Sequence, residues 1–293
     1  MSLPVIDIAR VAHNDDPWAA DTVPFVVDGT QVGFVPARVI AAARDYASER
    51  ASGIQAGAAF GFTAEHATPG ARTAALAAFV EWLRDTRRFP DPLDGWRDER
   101  YTVYGRRDGR VVPAFELERA ACGLFGVATF GVHLTAYTPD MRIWVPQRSR
   151  TKQTWPGYLD NSVAGGITAG ESVFDTVVRE CAEEASLAED VVRPRVKATG
   201  AISYFHRTSA GWHQPEMQCV CVLTRYVYDL ELPADVELKP CDGEAEWFAL
   251  ADVPTVLSWL RDGRFKPNCA LGTSVLTSPA RLSRAPRRHR TRP

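Results

Sequence analysis

One segment, AGGITAGESVFDTVVRECAEEASL at residues 164–187, restricts the possible folds and functions of this chain most strongly. We interpret its second half as a helix in which Glu180, Glu183 and Glu184 are spaced as i, i+3 and i+4. This spacing places the three carboxylates on one helix face, where they repel one another. They also lie near the helix C-terminus, where the macrodipole disfavours negative charge. An exposed acidic face remains one interpretation, but a site for Mg²⁺ or Mn²⁺ gives a reason for clustered oxygen ligands.

The residues around these glutamates follow the spacing of a known motif. Gly165 is followed after five residues by Glu171, and after seven more by the run Arg179–Leu187. This pattern resembles the Nudix box, in which G-x5-E-x7 precedes R-E-U-x-E-E-x-G-U and U is a bulky apolar residue. Every charged position and the leading glycine match. Ser186 replaces the glycine after the helix, where a left-handed backbone is easiest for glycine, so we expect strain or a different turn there.

The resemblance implies a role for each matching residue. The glutamates of the helix would hold Mg²⁺ or Mn²⁺, together with the backbone carbonyl of Gly165 in the loop before the helix. Glu180 is expected to act as the base, directly or through a second carboxylate, and Arg179 is expected to pair with Glu171 and lock the loop to the helix. The implied metal ligands are Gly165, Glu180, Glu183 and Glu184. The implied catalytic residues are Glu180, Glu184, Arg179 and Glu171.

A wider resemblance covers roughly residues 20–271. The segments MRIWVPQRSRTKQTWPGYLDNSVAGGI and YVYDLELPADVELKPCDGEAEWFAL are similar to the Nudix domain of thiamine-pyrophosphokinase-related proteins. GFVPARV and ERYTVYG are similar to the small domain that precedes it, and no kinase domain is expected. The resemblance implies an α/β (α+β) fold: a Nudix α/β/α sandwich with a mixed sheet, preceded by a small α+β domain. We expect domains at 1–125 and 126–271, and a basic, disordered tail at 272–293.

The same resemblance implies hydrolysis of a diphosphate to a monophosphate, with thiamine diphosphate or its damaged oxy and oxo analogues as substrate. Arg148 and Lys152 lie just before the box and are expected to bind diphosphate oxygens, although a solvated loop is an equally good interpretation. Three alternatives remain open. The substrate could be another nucleoside-diphosphate-linked molecule, the reaction could be an isopentenyl-diphosphate isomerisation, or the fold could be a non-catalytic binding module.

Composition limits the partners that we expect. With 45% hydrophobic residues and a net charge of −2, the chain resembles a globular protein that has neither a nucleic-acid nor a membrane partner. Six arginines and no acid lie within residues 272–293, but a nucleic-acid arm is the less favoured interpretation of that segment. The N-terminus lacks the features of a signal peptide, which predicts a cytoplasmic protein. A small-molecule diphosphate is the expected partner, and the sequence leaves a homodimer open.

Periodicity and turn residues predict the main elements. Hairpins are expected at 24–36, around Asp28–Gly29, and at 100–112. The apolar spacing also predicts helices at 37–47, 71–86, 114–126 and 251–263, with Asp252 as the N-cap of the last one. Strands are expected at 131–138, 141–149, 198–207, 217–232 and 244–250.

Overall fold

The computed structural model of the chain describes residues 21–152, 154–207 and 220–276. Within these ranges the strands form three sheets: a four-stranded sheet, a two-stranded hairpin and a six-stranded mixed sheet. The first two use residues before 119 and the third uses residues from 128 onward. This mixture of sheets and helices agrees with the expected α/β fold class.

The four-stranded sheet contains the first predicted hairpin. Asp28 and Gly29 connect its strands with φ angles of 48° and 74°, as a type I′ turn requires, so this prediction is confirmed. The sheet has the order β2–β1–β4–β3, in which β1 and β4 are parallel and the other pairs are antiparallel. Its strands are β1 (Thr22–Val27), β2 (Thr30–Pro36), β3 (Ile54–Ala56) and β4 (Phe60–Phe62).

Three helices belong to this N-terminal part: α1 (Ala37–Glu49), α2 (Pro69–Asp85) and the short α3 (Pro90–Leu93). Helix α2 begins at the N-cap Thr68, whose hydroxyl accepts a hydrogen bond from the backbone N–H of Ala71 at 3.2 Å. The four apolar residues that predicted it are all fully buried: Leu76, Phe79, Val80 and Leu83. Both long helices are therefore confirmed.

The second hairpin consists of β5 (Arg100–Arg107) and β6 (Arg110–Glu118). Its strand β6 includes the first part of the segment 114–126, which the sequence analysis wrongly predicted as one helix. Phe115 and Leu117 are buried and pair with Val103 and Tyr101 of β5, so alternation rather than helical periodicity decides the structure. Only a 3₁₀ turn at Arg119–Ala121 and the short helix α4 (Cys122–Phe125) follow.

The six-stranded sheet forms the centre of the C-terminal part. Its order is β10–β11–β7–β8–β12, with β9 paired antiparallel to β7. Strands β11 and β7 are parallel, whereas β10–β11 and β8–β12 are antiparallel, which makes the sheet mixed. Its strands are β7 (Ala128–Tyr137), β8 (Ile143–Arg148), β9 (Val163–Gly166), β10 (Val196–Arg207), β11 (Val220–Glu231) and β12 (Ala245–Ala251).

Helices cover both faces of this sheet. On one face, Val132, Leu134 and Trp144 pack against α5 (Val173–Ala185), with the short α6 (Glu189–Val192) beside it. On the other face, Ile143 and Val145 pack with residues of α7 (Val253–Arg261) and α8 (Pro267–Leu276). Because successive strand residues point to opposite faces, one strand supplies both layers. The arrangement is the expected α/β/α sandwich.

The two C-terminal helices begin with clear signals. Asp252 caps α7 by accepting a hydrogen bond from the backbone N–H of Thr255 at 2.9 Å, as predicted. Helix α8 continues through Gly272 to Leu276, so ordered helix extends five residues into the segment expected to be a disordered tail; residues 277–293 lie outside the described residues. None of the helices in the described ranges is long and apolar enough to cross a membrane.

Candidate active site

Helix α5 carries the glutamate cluster. It begins at Ser172, whose hydroxyl accepts a hydrogen bond from the backbone N–H of Asp175 at 3.1 Å. Its apolar face is buried against the sheet, which places the glutamates at the edge of that interface rather than in open solvent. The buried apolar residues of the helix are Val177, Val178, Cys181 and Ala185.

Ser186 ends the helix in the left-handed conformation, with φ 56° and ψ 30°. The backbone N–H groups of Ser186 and Leu187 both donate to the carbonyl of Cys181, the second at 3.0 Å, and so close the end of the helix. The Ser186 hydroxyl donates to the carbonyl of Lys239 at 3.0 Å. The turn that glycine usually makes is therefore retained by serine, with a side-chain bond that partly offsets the backbone cost.

Arg179 is the centre of a carboxylate network. Its Nε and Nη2 donate to the two oxygens of Glu171 at 2.9 and 3.0 Å, which is the expected bidentate pair between loop and helix. Its Nη1 lies 3.0 Å from an oxygen of Glu180 and 2.7 Å from an oxygen of Glu183. The hydroxyl of Thr176 donates to Glu171 at 2.8 Å. Hydrogen bonding to Glu171 raises the pKa of Arg179, which therefore stays charged.

Glu180 is the most deeply buried carboxylate of this network, with 9% of its surface exposed. Burial raises its pKa to about 7, although Arg179 and Arg119 act in the opposite direction. An ideal Cβ on Gly165 would lie 1.9 Å from the carboxyl carbon of Glu180, so only glycine allows this approach. Gly165 belongs to strand β9 and not to a loop, and its carbonyl oxygen lies against Gly131 of β7.

Glu184 lies one turn further along the same face. One of its carboxylate oxygens accepts a hydrogen bond from the backbone N–H of Ala164 at 2.9 Å. Burial, and then the nearby charge of Glu180, raise the pKa of Glu184 well above its ordinary value. It lines a small polar pocket together with Asp160 and Glu244. Glu180 is buried and Glu184 is partly buried, so a cation bound beside these two neighbouring acids would favour their ionised forms.

This donor set fits a divalent cation in its chemistry. The carboxylates of Glu180, Glu183 and Glu184 are hard oxygen ligands, and burial raises the pKa values of Glu180 and Glu184 in the absence of a cation. In the described ranges no three His, Cys, Asp or Glu side chains form a ready metal-binding group. Arg179 contacts both Glu180 and Glu183, so a cation that uses both side chains has to displace those contacts.

Arg148 and Lys152 are both engaged within the protein. Arg148 forms an ion pair with Asp160 at 2.6 Å and donates to the carbonyls of Thr154 and Trp155. Lys152 contacts Glu244 at 2.5 Å. Arg148, Asp160, Glu184 and Glu244 all line the small pocket, so the structure does bring Arg148 close to the glutamate helix. Diphosphate binding by these two side chains stays a prediction.

Two residues near the site come from the N-terminal part and were not singled out in the sequence. The guanidinium of Arg119 lies 5.7 Å from the ring centroid of Tyr101 and forms an ion pair with Glu99 at 2.8 Å. Tyr101 lies against β9, because an ideal Cβ on Gly166 would be 1.8 Å from its hydroxyl oxygen. No short-range pattern indicates these contacts, since Arg119 lies 18 and 20 positions from Tyr101 and Glu99, and Tyr101 lies 65 positions from Gly166.

Comparison with known proteins agrees with this architecture. Residues 128–269 match the NUDIX domain, and residues 5–129 match a domain of unknown function, DUF4743. The NUDIX match covers the six-stranded sheet and the glutamate helix, and the DUF4743 match covers the part of the chain before them.

Three relatives span both parts. The chain is 40% identical over 187 residues to the uncharacterized Saccharomyces cerevisiae protein YJR142W. It is 37% identical over 207 residues to Nudix hydrolase 20, chloroplastic, and 32% identical over 254 residues to Nudix hydrolase 24, chloroplastic, both from Arabidopsis thaliana. The matches cover 61%, 69% and 85% of this chain, but only 54%, 51% and 65% of the three relatives. The chain thus spans between half and two thirds of their length.

Proposed function

We propose that this protein is a divalent-metal-dependent Nudix hydrolase that cleaves a diphosphate linkage. The observation that carries the proposal is the position of Glu180, Glu183 and Glu184 on one side of α5, with Glu180 and Glu183 both on Arg179, inside a segment that matches the NUDIX domain. Mg²⁺ and Mn²⁺ are the proposed ions, because both prefer carboxylate oxygens. The similarity to two proteins named Nudix hydrolases supports the same reaction class.

The reaction adds water across one P–O–P bond and releases two phosphate products. A bound divalent ion would neutralise the diphosphate charge and help to orient water. Glu180 is the proposed base, because its carboxylate is buried at the edge of the helix and a divalent cation bound beside it would favour the ionised form, which can accept a proton. Arg179 orients the helix carboxylates by holding Glu171 with one side of its guanidinium and Glu183 with the other.

Thiamine diphosphate, or its oxy and oxo analogues, is the proposed substrate class. Its support is the resemblance of both parts of the chain to thiamine-pyrophosphokinase-related proteins. Another nucleoside-diphosphate-linked compound is the second candidate within the same reaction. The cytoplasmic location and the homodimer stay predictions.

An isomerase reaction on isopentenyl diphosphate is not favoured by the described cysteines. That reaction needs an accessible thiol beside the substrate. Cys181 and Cys269 are buried, and burial raises the pKa of both. Cys241 is exposed, but it does not line the pocket that contains Glu184. A non-catalytic module is not favoured either, because each acidic position of the Nudix pattern is kept. Product analysis separates these alternatives: hydrolysis releases phosphate, isomerisation does not, and a binding module gives neither product.

The proposal predicts that Glu184→Gln loses at least about 100-fold in kcat/KM with Mg²⁺, since removing one charged ligand weakens charge stabilisation by several kcal/mol. Rates should be measured with thiamine diphosphate, its oxidised analogues, ADP-ribose, nucleoside triphosphates and nucleotide sugars. We expect the thiamine-type compounds to give the highest wild-type kcat/KM. Mn²⁺ binding, followed by electron paramagnetic resonance without substrate, should weaken in the same variant.

Glu189→Gln is the matched control. Glu189 is an exposed acid on neighbouring α6 that pairs with Arg193, and its loss should leave both rate and Mn²⁺ affinity within twofold of wild type. Equal turnover by Glu184→Gln and wild type would refute the metal assignment. A higher kcat/KM for a nucleotide than for the thiamine-type compounds would support the proposed hydrolysis but contradict the proposed substrate class.

A further inference from the structure

A cleft separates the β5–β6 hairpin from the segment that leads into α5. It has a volume of about 320 Å³, which lies within the range of small-molecule sites. The hairpin supplies one wall, and residues of β7, β11 and the 167–173 segment supply the other. Its apolar lining residues are Tyr101, Tyr104, Val111, Phe130, Ile167 and Tyr226.

The cleft is aromatic and part of its apolar lining is exposed. Tyr104 is 44% exposed and Val111 is 63% exposed, and both belong to the small group of exposed large apolar residues in the described chain. The ring of Tyr104 meets the ring of Phe130 edge to face, with 5.6 Å between centroids. A flat ring that entered here would meet aromatic surface from both parts of the chain, and such contacts favour aromatic ligands.

The cleft is linked to the candidate active site through Glu171. Glu171 lines it and also holds Arg179, which in turn contacts Glu180 and Glu183. Thr102, Thr168 and Glu171 add a few polar groups to an otherwise apolar lining, which is the usual composition of a ligand site.

Direct bonds hold the two walls together. The hydroxyl of Thr168 donates to Glu99 at 2.9 Å, and the backbone N–H of Ala169 donates to the carbonyl of Arg100 at 2.8 Å. Both bonds join the start of β5 to the segment that lines the opposite wall. The hairpin is thus fixed at the base of the cleft, while its exposed residues lie at the rim.

We propose that this cleft binds a flat heteroaromatic head group of the diphosphate substrate, with the N-terminal hairpin supplying Tyr104 and Val111 as specificity residues. The inference rests on the proposed function, because the diphosphate would have to reach the glutamates of α5 while the ring lies between hairpin and sheet. The N-terminal domain is then part of the substrate site. A diphosphate with an aliphatic chain would gain little from the aromatic walls and is expected to bind more weakly.

Binding of three probes to the full chain tests this assignment by titration calorimetry without divalent metal. Thiamine diphosphate and ADP-ribose carry heteroaromatic rings, whereas isopentenyl diphosphate does not. In Tyr104→Ala, the Kd of the better aromatic probe should rise about tenfold, because one stacking contact is lost. The Kd of isopentenyl diphosphate should rise by less than twofold. Val111→Asp should have the same selective effect, and thermal unfolding shows whether either variant is folded.

Phe174→Ala is the matched control, because Phe174 is an exposed aromatic residue that packs on Arg193 outside the cleft. It should leave all three affinities within twofold. The inference is overturned if folded Tyr104→Ala and Val111→Asp both bind the aromatic probes like wild type, or if wild type prefers the aliphatic probe. If the two variants lose ring binding selectively but the wild-type protein shows no Mg²⁺-dependent hydrolysis, the ring-binding role of the cleft is supported and the proposed function is refuted.

Discussion

Ser186 adopts a left-handed backbone conformation, which residues other than glycine seldom adopt. Its φ of 56° places it in the left-handed region, which costs an L-residue about 1–2 kcal/mol. The hydroxyl bond to the carbonyl of Lys239 offsets about 1 kcal/mol of this cost. Position 186 therefore shows how the helix that carries the glutamates can end in the same way without the usual glycine.

Substitutions of Ser186 separate these two contributions. Ser186→Ala keeps the backbone strain and loses the hydrogen bond, so its free energy of unfolding should fall by about 1 kcal/mol. Ser186→Gly loses the bond and the strain together, so it should equal or exceed wild type by up to about 1 kcal/mol. Urea unfolding of the three proteins measures the order. An alanine variant as stable as the glycine variant would show that φ at this position carries no cost.

Residue spacing predicted part of the site, and tertiary contacts supplied the rest. The bidentate Arg179–Glu171 pair followed from the spacing of the motif. The approach of Tyr101 and Arg119 did not, because Tyr101 belongs to another sheet and Arg119 to the turn after it, and no local pattern encodes which sheet edge they meet. The engagement of Arg148 by Asp160 was equally hidden, since a basic run gives no sign of its own partner.

At the scale of elements, strong periodicity predicts helices and hairpins correctly, whereas a short strand such as β9 leaves no clear pattern in the sequence. The four apolar positions of α2 defined a helix, and Asp28–Gly29 defined a hairpin. Strand β9 has the sequence VAGG, which lacks alternation, and the loop that the Nudix resemblance implies for Gly165 is a strand in the structure. It forms a strand because β7 offers it a free edge, which is a property of the sheet and not of the four residues.

Helix α8 packs on β7 through a polar layer that includes His133, and the contribution of this layer to the free energy of unfolding depends on pH. His133 of β7 is 3% exposed, and an ideal Cβ on Gly272 of α8 would lie 3.0 Å from its Nδ1. Burial lowers the pKa of His133 to about 3, with help from Arg225 and Lys266 and against the effect of Asp160. The histidine is therefore neutral beneath the helix at every pH at which the protein is expected to work.

This lowered pKa predicts a pH-dependent loss of stability. Between the unfolded value of about 6.5 and the folded value of about 3, the unfolded chain binds the proton and the folded chain does not. The contribution of neutral His133 to the free energy of unfolding is therefore fully present above about pH 6.5. As the pH falls below this value, the free energy of unfolding declines by up to about 1.4 kcal/mol per pH unit. His133→Gln should remove this slope, as measured by urea unfolding from pH 7 to 4 in metal-free buffer.

The comparison must be made between wild type and variant, not from the wild-type slope alone. Burial raises the pKa of Glu180 to about 7 and also raises that of Glu184, so both bind protons more tightly when folded and oppose the histidine effect. Their contribution is common to both proteins and cancels in the difference. Identical slopes for wild type and His133→Gln would mean that His133 titrates alike in the folded and unfolded chains.

At the scale of the whole molecule, the N-terminal part and the six-stranded sheet meet through a close steric contact. Gly166 of β9 leaves the space that the hydroxyl of Tyr101 occupies, and neighbouring bonds tie Glu99 to Thr168 and Arg100 to Ala169. The same contact forms the base of the aromatic cleft. The contact between Tyr101 and Gly166 therefore affects both how the N-terminal part packs on the six-stranded sheet and the shape of the proposed ring site.

A double-mutant cycle tests this dependence. Gly166→Ala should lower the free energy of unfolding by about 1–3 kcal/mol, because its Cβ would collide with Tyr101. Tyr101→Leu shortens the opposing side chain, so the double variant should be less destabilised than the sum of the single variants by about 0.5–3 kcal/mol. Gly70→Ala is the control: nothing lies within 4 Å of its ideal Cβ, and its effect should add to that of Tyr101→Leu. Additive effects of Gly166→Ala and Tyr101→Leu would show that the two parts are positioned by other contacts.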